Sequence, residues 1–202
     1  MPVHPLLFSA VLLAGGKSAR MGCDKAGLII HGQPLWQRQL ATLRALEPQE
    51  LFISGRPNGP YVGAGVPIVF DTEPNLGPMG GLVAALRRNQ NPFLLVLAID
   101  LPAMSTDFLR CLVQSASDQK LGVAPYFDGR FEPLAAVYPQ ACLPLVEEVL
   151  RVGVDRSLQG LIREAVARGI MRGYPLREVE RSVFRNLNTP QDFGSLSEVL
   201  GT

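Results

Sequence analysis

Short, almost wholly apolar runs recur along the chain, separated by segments whose apolar residues fall three or four apart. The runs at 7–13, 50–54, 67–70, 93–99, 121–125 and 135–138 have the length and the Leu, Val and Ile content of strands. Between them, 34–46, 80–89, 105–117 and 142–151 carry helical spacing, and 157–168 and 189–199 add two further helical patterns. The strands are continuously apolar instead of alternating, which predicts burial on both faces, as in a parallel sheet covered by helices. The expected architecture is therefore α/β: a three-layer sandwich with a mostly parallel, doubly wound sheet. No linker, repeat or low-complexity tract interrupts the pattern, so one domain over residues 1–202 is expected.

Sheets of this kind bind ligands at the carboxyl ends of their strands, where the strand order reverses. The segments following residues 13, 54, 70 and 99 are accordingly the places to look for chemistry. The first reads Leu13-Ala14-Gly15-Gly16-Lys17-Ser18-Ala19-Arg20-Met21-Gly22-Cys23-Asp24-Lys25-Ala26. Its glycines let backbone amides come close to a ligand, and Lys17, Arg20 and Lys25 place three cations within nine residues. Backbone N–H groups with Lys and Arg are what a polyphosphate requires. A plain strand-to-helix turn would also use the glycines, but it has no need of Arg20 and Lys25 at these offsets. The segment has neither the GxxxxGK spacing of a P-loop nor the GxGxxG of a dinucleotide fold.

Composition narrows the partners. Among 202 residues, 19 basic and 18 acidic side chains leave a net charge of +1, which excludes a broad electrostatic grip on nucleic acid or an anionic membrane. With 47% hydrophobic residues, a chain of this length can bury a core without disulfides or a structural metal. Cys23, Cys111 and Cys142 are far apart and form no CxxC pair, which argues against a zinc site and for a reducing compartment. The apolar run at 6–14 is too short for a membrane span of ~20 residues and no Lys or Arg precedes it. A cytoplasmic protein with neither nucleic acid nor membrane as partner is expected.

Other strand-end residues carry both a functional and a plainer reading. Asp100 closes the strand at 93–99, where a carboxylate can bind a hard cation such as Mg²⁺ or cap the helix that follows. Asp71 closes the strand at 67–70, where it can accept N–H donors of a ligand or simply form a turn with Thr72 and Glu73. Gly77-Pro78-Met79-Gly80-Gly81 reads as a close-approach loop leading into a helix. In Asn186-Leu187-Asn188-Thr189-Pro190, Thr189 and Pro190 suit the first positions of a helix, a role that does not account for Asn186. His4 and His31 fit no motif and read as surface or turn residues, and Trp36 lies on the apolar face of the first helix as a core residue.

Taken together, Leu-Ala-Gly-Gly-x-Ser-x-Arg-Met-Gly-x-Asp-Lys-Ala at 13–26 resembles the signature of the molybdenum cofactor guanylyltransferases. Asp71 with Gly77-Pro78-Met79-Gly80, Ala98-Ile99-Asp100-Leu101-Pro102, Glu132-Pro133 and Asn186-Leu187-Asn188-Thr189-Pro190-Gln191-Asp192 resemble further segments of that family. The resemblance covers about residues 7–193 and implies a nucleotide-diphospho-sugar transferase-like fold. It implies transfer of GMP from GTP to the phosphate of molybdopterin or Mo-molybdopterin, with pyrophosphate released and Mg²⁺ as cofactor. Arg20, Lys25 and Asp100 would be catalytic, and Asp100 would hold the metal. Leu13, Ala14, Gly15, Gly16, Lys25, Ser54, Asp71 and Asp100 would bind the nucleotide, and Gly80, Asn186 and Asn188 the acceptor. Phe127-Asp128-Gly129-Arg130 is a candidate wall of the pterin pocket. Ser54 stands where many relatives carry Asn. The product would pass to cofactor-insertion proteins and acceptor molybdoenzymes. Two alternatives remain at this point: a relative using another base or acceptor, of cytidylyl-pterin or sugar-phosphate type, and an inactive nucleotide-binding module.

Overall fold

The computed structural model describes residues 6–15, 24–61, 63–70, 76–153 and 155–187. In chain order the elements are β1 (Phe8–Leu13), β2 (Ile29–Ile30), β3 (Gln33–Pro34), α1 (Leu35–Arg44), β4 (Glu50–Gly55), β5 (Ile68–Phe70), α2 (Pro78–Arg88) and β6 (Phe93–Ala98). Then follow α3 (Thr106–Gln119), β7 (Gly122–Phe127), β8 (Arg130–Phe131), β9 (Ala135–Pro139), α4 (Cys142–Val152), α5 (Leu158–Ala167) and β10 (Met171–Pro175). Short 3-10 turns occupy Lys25–Gly27 and Glu178–Phe184. The helical pattern at 189–199 lies outside the described residues, as do His4 and Cys23. Among the described residues no helix is long and apolar enough to cross a membrane.

The two most apolar runs become the centre of the sheet. β1 and β6 pair in parallel with Leu13 opposite Ala98, and every residue of both strands is buried. The sheet order is β10-β7-β9-β6-β1-β4-β5, with β8 attached to β7. β5, β4, β1 and β6 run parallel, β9 runs against both β6 and β7, and β10 lies parallel to β7. Because β1 and β6 are buried on both sides, their alternate residues enter two separate cores. Ala10, Leu12, Leu95 and Leu97 pack with Leu40 of α1 and Leu109 of α3. Val11, Leu13, Leu94 and Val96 pack with Leu82 of α2, Leu145 of α4 and Ile162 of α5. This is the three-layer, mostly parallel sandwich the sequence predicts.

The chain leaves β1 toward β4 on one side and returns to β6 on the other, so the order reverses between β1 and β6. Their carboxyl ends therefore open a crevice of the kind that receives ligands in doubly wound sheets.

Turn chemistry accounts for several details. His31-Gly32 and Asp128-Gly129 both have positive φ at two successive residues, the geometry of a tight two-residue hairpin, between β2 and β3 and between β7 and β8. His31 is thus a turn residue, and Trp36 is a core residue set edge-on to Tyr61. The two-residue strands β2, β3 and β8, the strand β10 and the 3-10 turn at Glu178–Phe184 are not expected from the sequence pattern. β10, with a Gly and a Pro among five residues, forms only as an edge strand on β7, and the 3-10 turn at Glu178–Phe184 is held by Phe184 packing on Phe108.

Two-sided burial sets a difference in mutational cost. Leu12→Ala is expected to lower the free energy of unfolding by about 2–5 kcal/mol. Ile29→Ala, on the exposed hairpin strand β2, is expected to cost about 0.5 kcal/mol or less. Urea denaturation of the two variants measures both, and equal losses would contradict this placement of the core.

Candidate active site

The carboxyl ends of β1 and β6 are locked together by backbone. The Leu13 carbonyl accepts the Ile99 N–H at 3.0 Å, and the Ala14 N–H donates to the Ser54 carbonyl of β4 at 2.7 Å. The carbonyl of Ala14 accepts the hydroxyl of Tyr61 at 2.7 Å. Each carbonyl keeps a second lone pair, whereas the Ala14 N–H is used within the protein. Leu13 can therefore present an acceptor to a ligand, while the Ala14 carbonyl is turned inward on Tyr61. Gly15 follows, exposed, and a Cβ placed on it would lie 3.7 Å from the Gly55 carbonyl oxygen.

At the end of β6, Asp100 faces Lys25. The Lys25 ammonium lies 3.8 Å from Asp100 Oδ2, although the residues are 75 positions apart. Asp24 makes this approach possible: its Oδ1 accepts the Ala26 N–H at 3.1 Å and so starts the 3-10 turn that carries Lys25. The other Asp24 oxygen pairs with the Arg56 guanidinium. Asp100 does not cap the next helix, because α3 begins at Thr106 and Ser105 accepts the Phe108 N–H at 3.2 Å. Its backbone carbonyl instead accepts the Leu187 N–H at 2.8 Å, which brings Asn186 to the same edge.

Burial pushes the Asp100 carboxyl above its ordinary value, with Lys25 and its own backbone N–H pulling it back. Asp100 Oδ1 is buried and has no hydrogen-bond partner on another described residue. A charged oxygen left unsatisfied in this way is costly unless something binds it. Among the described residues no three His, Cys, Asp or Glu side chains gather as a metal cage. The donor chemistry that does fit is a hard divalent cation held by one carboxylate, with water and substrate oxygens completing its shell. Glu132 adds a second carboxylate nearby. It follows β8, just before Leu134, whose carbonyl accepts the Ala98 N–H at 2.8 Å. Desolvation raises the Glu132 carboxyl, Arg130 lowers it, and the charge of Asp100 raises it further.

The remaining candidates divide. Ser54 is buried with its hydroxyl turned toward α2, where a Cβ on Gly81 would lie 3.0 Å from Oγ. Its backbone carbonyl, not its side chain, reaches the end of β1. Gly80 is buried in the first turn of α2, its N–H on the Gly77 carbonyl at 3.1 Å. Phe127-Asp128-Gly129-Arg130 forms the β7–β8 hairpin turn, with Asp128 bound to Arg181 at 3.2 and 3.3 Å. Gly16, Lys17, Arg20, Asp71 and Asn188 lie outside the described residues. Arg56 and Tyr61 are site neighbours that periodicity did not single out, since residues 56–60 read only as a Gly- and Pro-rich connection. The one available signal was a lone aromatic closing that connection.

The same architecture occurs in solved nucleotidyltransferases. Molybdopterin-guanine dinucleotide biosynthesis protein A from Archaeoglobus fulgidus superposes with a TM-score of 0.76 at 23% identity, over 96% of this chain and 98% of its own. The 2-C-methyl-D-erythritol 4-phosphate cytidylyltransferase from Thermus thermophilus gives 0.69 at 19% identity, over 95% and 97%. The chain thus shares the fold of these proteins. In sequence, the model of the MobA-like NTP transferase domain matches residues 10–168. A protein of Opitutus terrae named probable molybdenum cofactor guanylyltransferase is 35% identical over 195 residues, 95% of this chain and 96% of its own length. The molybdenum cofactor guanylyltransferase of Xanthomonas euvesicatoria is 33% identical over 196 residues, 94% of each. The chain belongs to the MobA-like NTP transferase family and is a nucleotidyltransferase.

The charges at this edge make two properties measurable. Asp100→Asn removes a partly desolvated charge, so its Tm should equal or exceed that of the wild type while nucleotidyl transfer falls at least about 100-fold. Thermal melting and a transfer assay read the two effects, and retained transfer would contradict the assignment. Burial chiefly, and Asp24 next, push the Tyr61 hydroxyl from 10.0 up to about 12, with Arg56 opposing. A folded-state value above the unfolded one stabilises at low pH, fully below pH 10, and this contribution is lost as pH rises toward about 12. The Tm advantage of the wild type over Tyr61→Phe should therefore shrink across that window, and a constant gap would contradict the burial of this hydroxyl.

Proposed function

We propose that this enzyme transfers GMP from GTP to the terminal phosphate of molybdopterin or Mo-molybdopterin, releasing pyrophosphate and forming the guanine dinucleotide cofactor. The observation that carries this reading is the Lys25–Asp100 pair standing at the β1/β6 crevice beside the first glycine of the glycine-rich segment. Identity of 35% and 33% with proteins named molybdenum cofactor guanylyltransferase supports the choice of base and acceptor.

The reaction needs little covalent participation from the protein. The acceptor phosphate attacks the α-phosphorus of GTP in line, a P–O bond forms there, and the bond to the β-phosphate oxygen breaks with its electron pair leaving on pyrophosphate. The attacking oxygen is already ionised, so no general base is required. Catalysis then rests on alignment and on positive charge placed against the phosphoryl oxygens. Lys25 supplies one such charge and Arg20 a second, and the N–H groups of Gly15 and Gly16 hold the triphosphate. Asp100 would hold Mg²⁺, and the ion when bound would supply charge neutralisation at the substrate phosphates. The Leu13 carbonyl and the Asp71 carboxylate accept from guanine N1–H and N2–H, and a base lacking that donor pair leaves buried acceptors unpaired. Asn186, beside the Asp100 backbone, and Asn188 and Gly80 contact the acceptor.

A nucleotide panel tests base and acceptor together. Purified enzyme with molybdopterin and Mg²⁺ should form a dinucleotide with GTP and at most trace product with CTP, ATP or UTP. Turnover with CTP and none with GTP would overturn the guanylyl reading, and no turnover with any nucleotide would favour a binding module.

A further inference from the structure

The glycine-rich segment leaves the sheet at Ala14 and rejoins the described chain at Asp24, and both ends are held by one connection, that between β4 and β5. At the first end, Tyr61 donates its hydroxyl to the Ala14 carbonyl at 2.7 Å. At the second, Arg56 pairs with the Asp24 carboxylate. The connection closes tightly over the Tyr61 ring. A Cβ added at Gly55 or Gly59 would lie 2.6 or 2.0 Å from that ring, closer than any side chain tolerates. The ring is 2% exposed and meets Trp36 edge-on at 6.1 Å.

Packing alone does not require a tyrosine here. Phenylalanine would fill the same space without desolvating a hydroxyl, so the hydroxyl is there for its hydrogen bond. What that bond fixes is a peptide plane. The carbonyl of Ala14 and the N–H of Gly15 belong to one trans peptide and point in opposite directions. Holding the carbonyl inward on Tyr61 therefore turns the Gly15 N–H away from Tyr61. Without that hold, glycine at 15 would let the plane rotate, because its backbone is the least restricted of any residue.

We propose that Tyr61 is a positioning residue that locks the Ala14–Gly15 peptide so that the Gly15 N–H faces the triphosphate, with the Arg56–Asp24 pair fixing the far end of the segment. This rests on the reading that the glycine-rich segment binds the nucleotide. The Tyr61 hydroxyl touches no substrate. It acts through Gly15, and Arg56 acts through the turn that Asp24 caps and Lys25 occupies.

Tyr61→Phe keeps the ring and removes the lock, and Asp24→Asn keeps an oxygen for the Ala26 N–H while weakening the pair with Arg56. Steady-state kinetics with GTP and molybdopterin, and melting at the assay pH, are measured for both variants. The KM for GTP is expected to rise by about fivefold or more, the worth of one neutral hydrogen bond, while the KM for molybdopterin stays within about twofold. An unchanged KM for GTP would overturn the proposal, as would equal rises for both substrates, which mark a general loss of structure. If the wild type uses another nucleotide, the base reading fails, and a selective rise in the KM for that nucleotide still supports the lock. A wild type that uses no nucleotide overturns both.

Discussion

Everything in this molecule that concerns chemistry depends on two strands being buried on both sides and lying next to each other. β1 and β6 are buried throughout, with Ser9 the one polar residue of the two, and pair in parallel, so they end together at one edge of the sheet. The backbone bond from the Ile99 N–H to the Leu13 carbonyl closes that edge. Gly15 and the Asp100 carboxylate, 85 residues apart in sequence, are thereby delivered to one crevice. No loop has to find the other, because the hydrophobic cores on the two faces of the sheet set their relative height and spacing.

That placement carries an electrostatic cost. Asp100 stands where burial disfavours its charge, Glu132 adds like charge nearby, and Lys25 offsets only part of the imbalance at 3.8 Å. A structure optimised for stability alone would put a neutral residue at 100. An under-compensated carboxylate at this edge of the sheet is the pattern expected of a site completed by its substrates and a divalent cation.

Much of this was legible in the sequence because a continuously apolar strand has to be covered on both faces, and glycines at its end open the backbone to a ligand. The sandwich, its parallel centre and the helices α1 to α5 all follow from periodicity. The reversed direction of β9 did not, since Ala135 to Pro139 are buried in either direction and composition carries no sign of polarity along a strand. β10 was hidden by Arg172, Gly173 and Pro175, residues that only an edge strand accommodates. At the site, Lys25 and Asp100 could be named from their neighbours in sequence, but their meeting could not, and neither could the inward turn of the Ser54 hydroxyl against Gly81. Tyr61 and Arg56 were illegible for a different reason. Their roles depend on pairing with Ala14 and Asp24, far away in sequence, and nothing about a tyrosine after Gly59-Pro60 announces a hydrogen bond to a glycine-rich turn.

The most direct test of the central claim, that the β1/β6 crevice is the nucleotide site, is a crystal structure with a non-hydrolysable GTP analogue and Mn²⁺ in place of Mg²⁺. The triphosphate is expected against Gly15 and Lys25, with an anomalous Mn²⁺ peak within roughly 2.0–2.4 Å of an Asp100 carboxylate oxygen. Nucleotide and metal bound at any other edge of the sheet would contradict it.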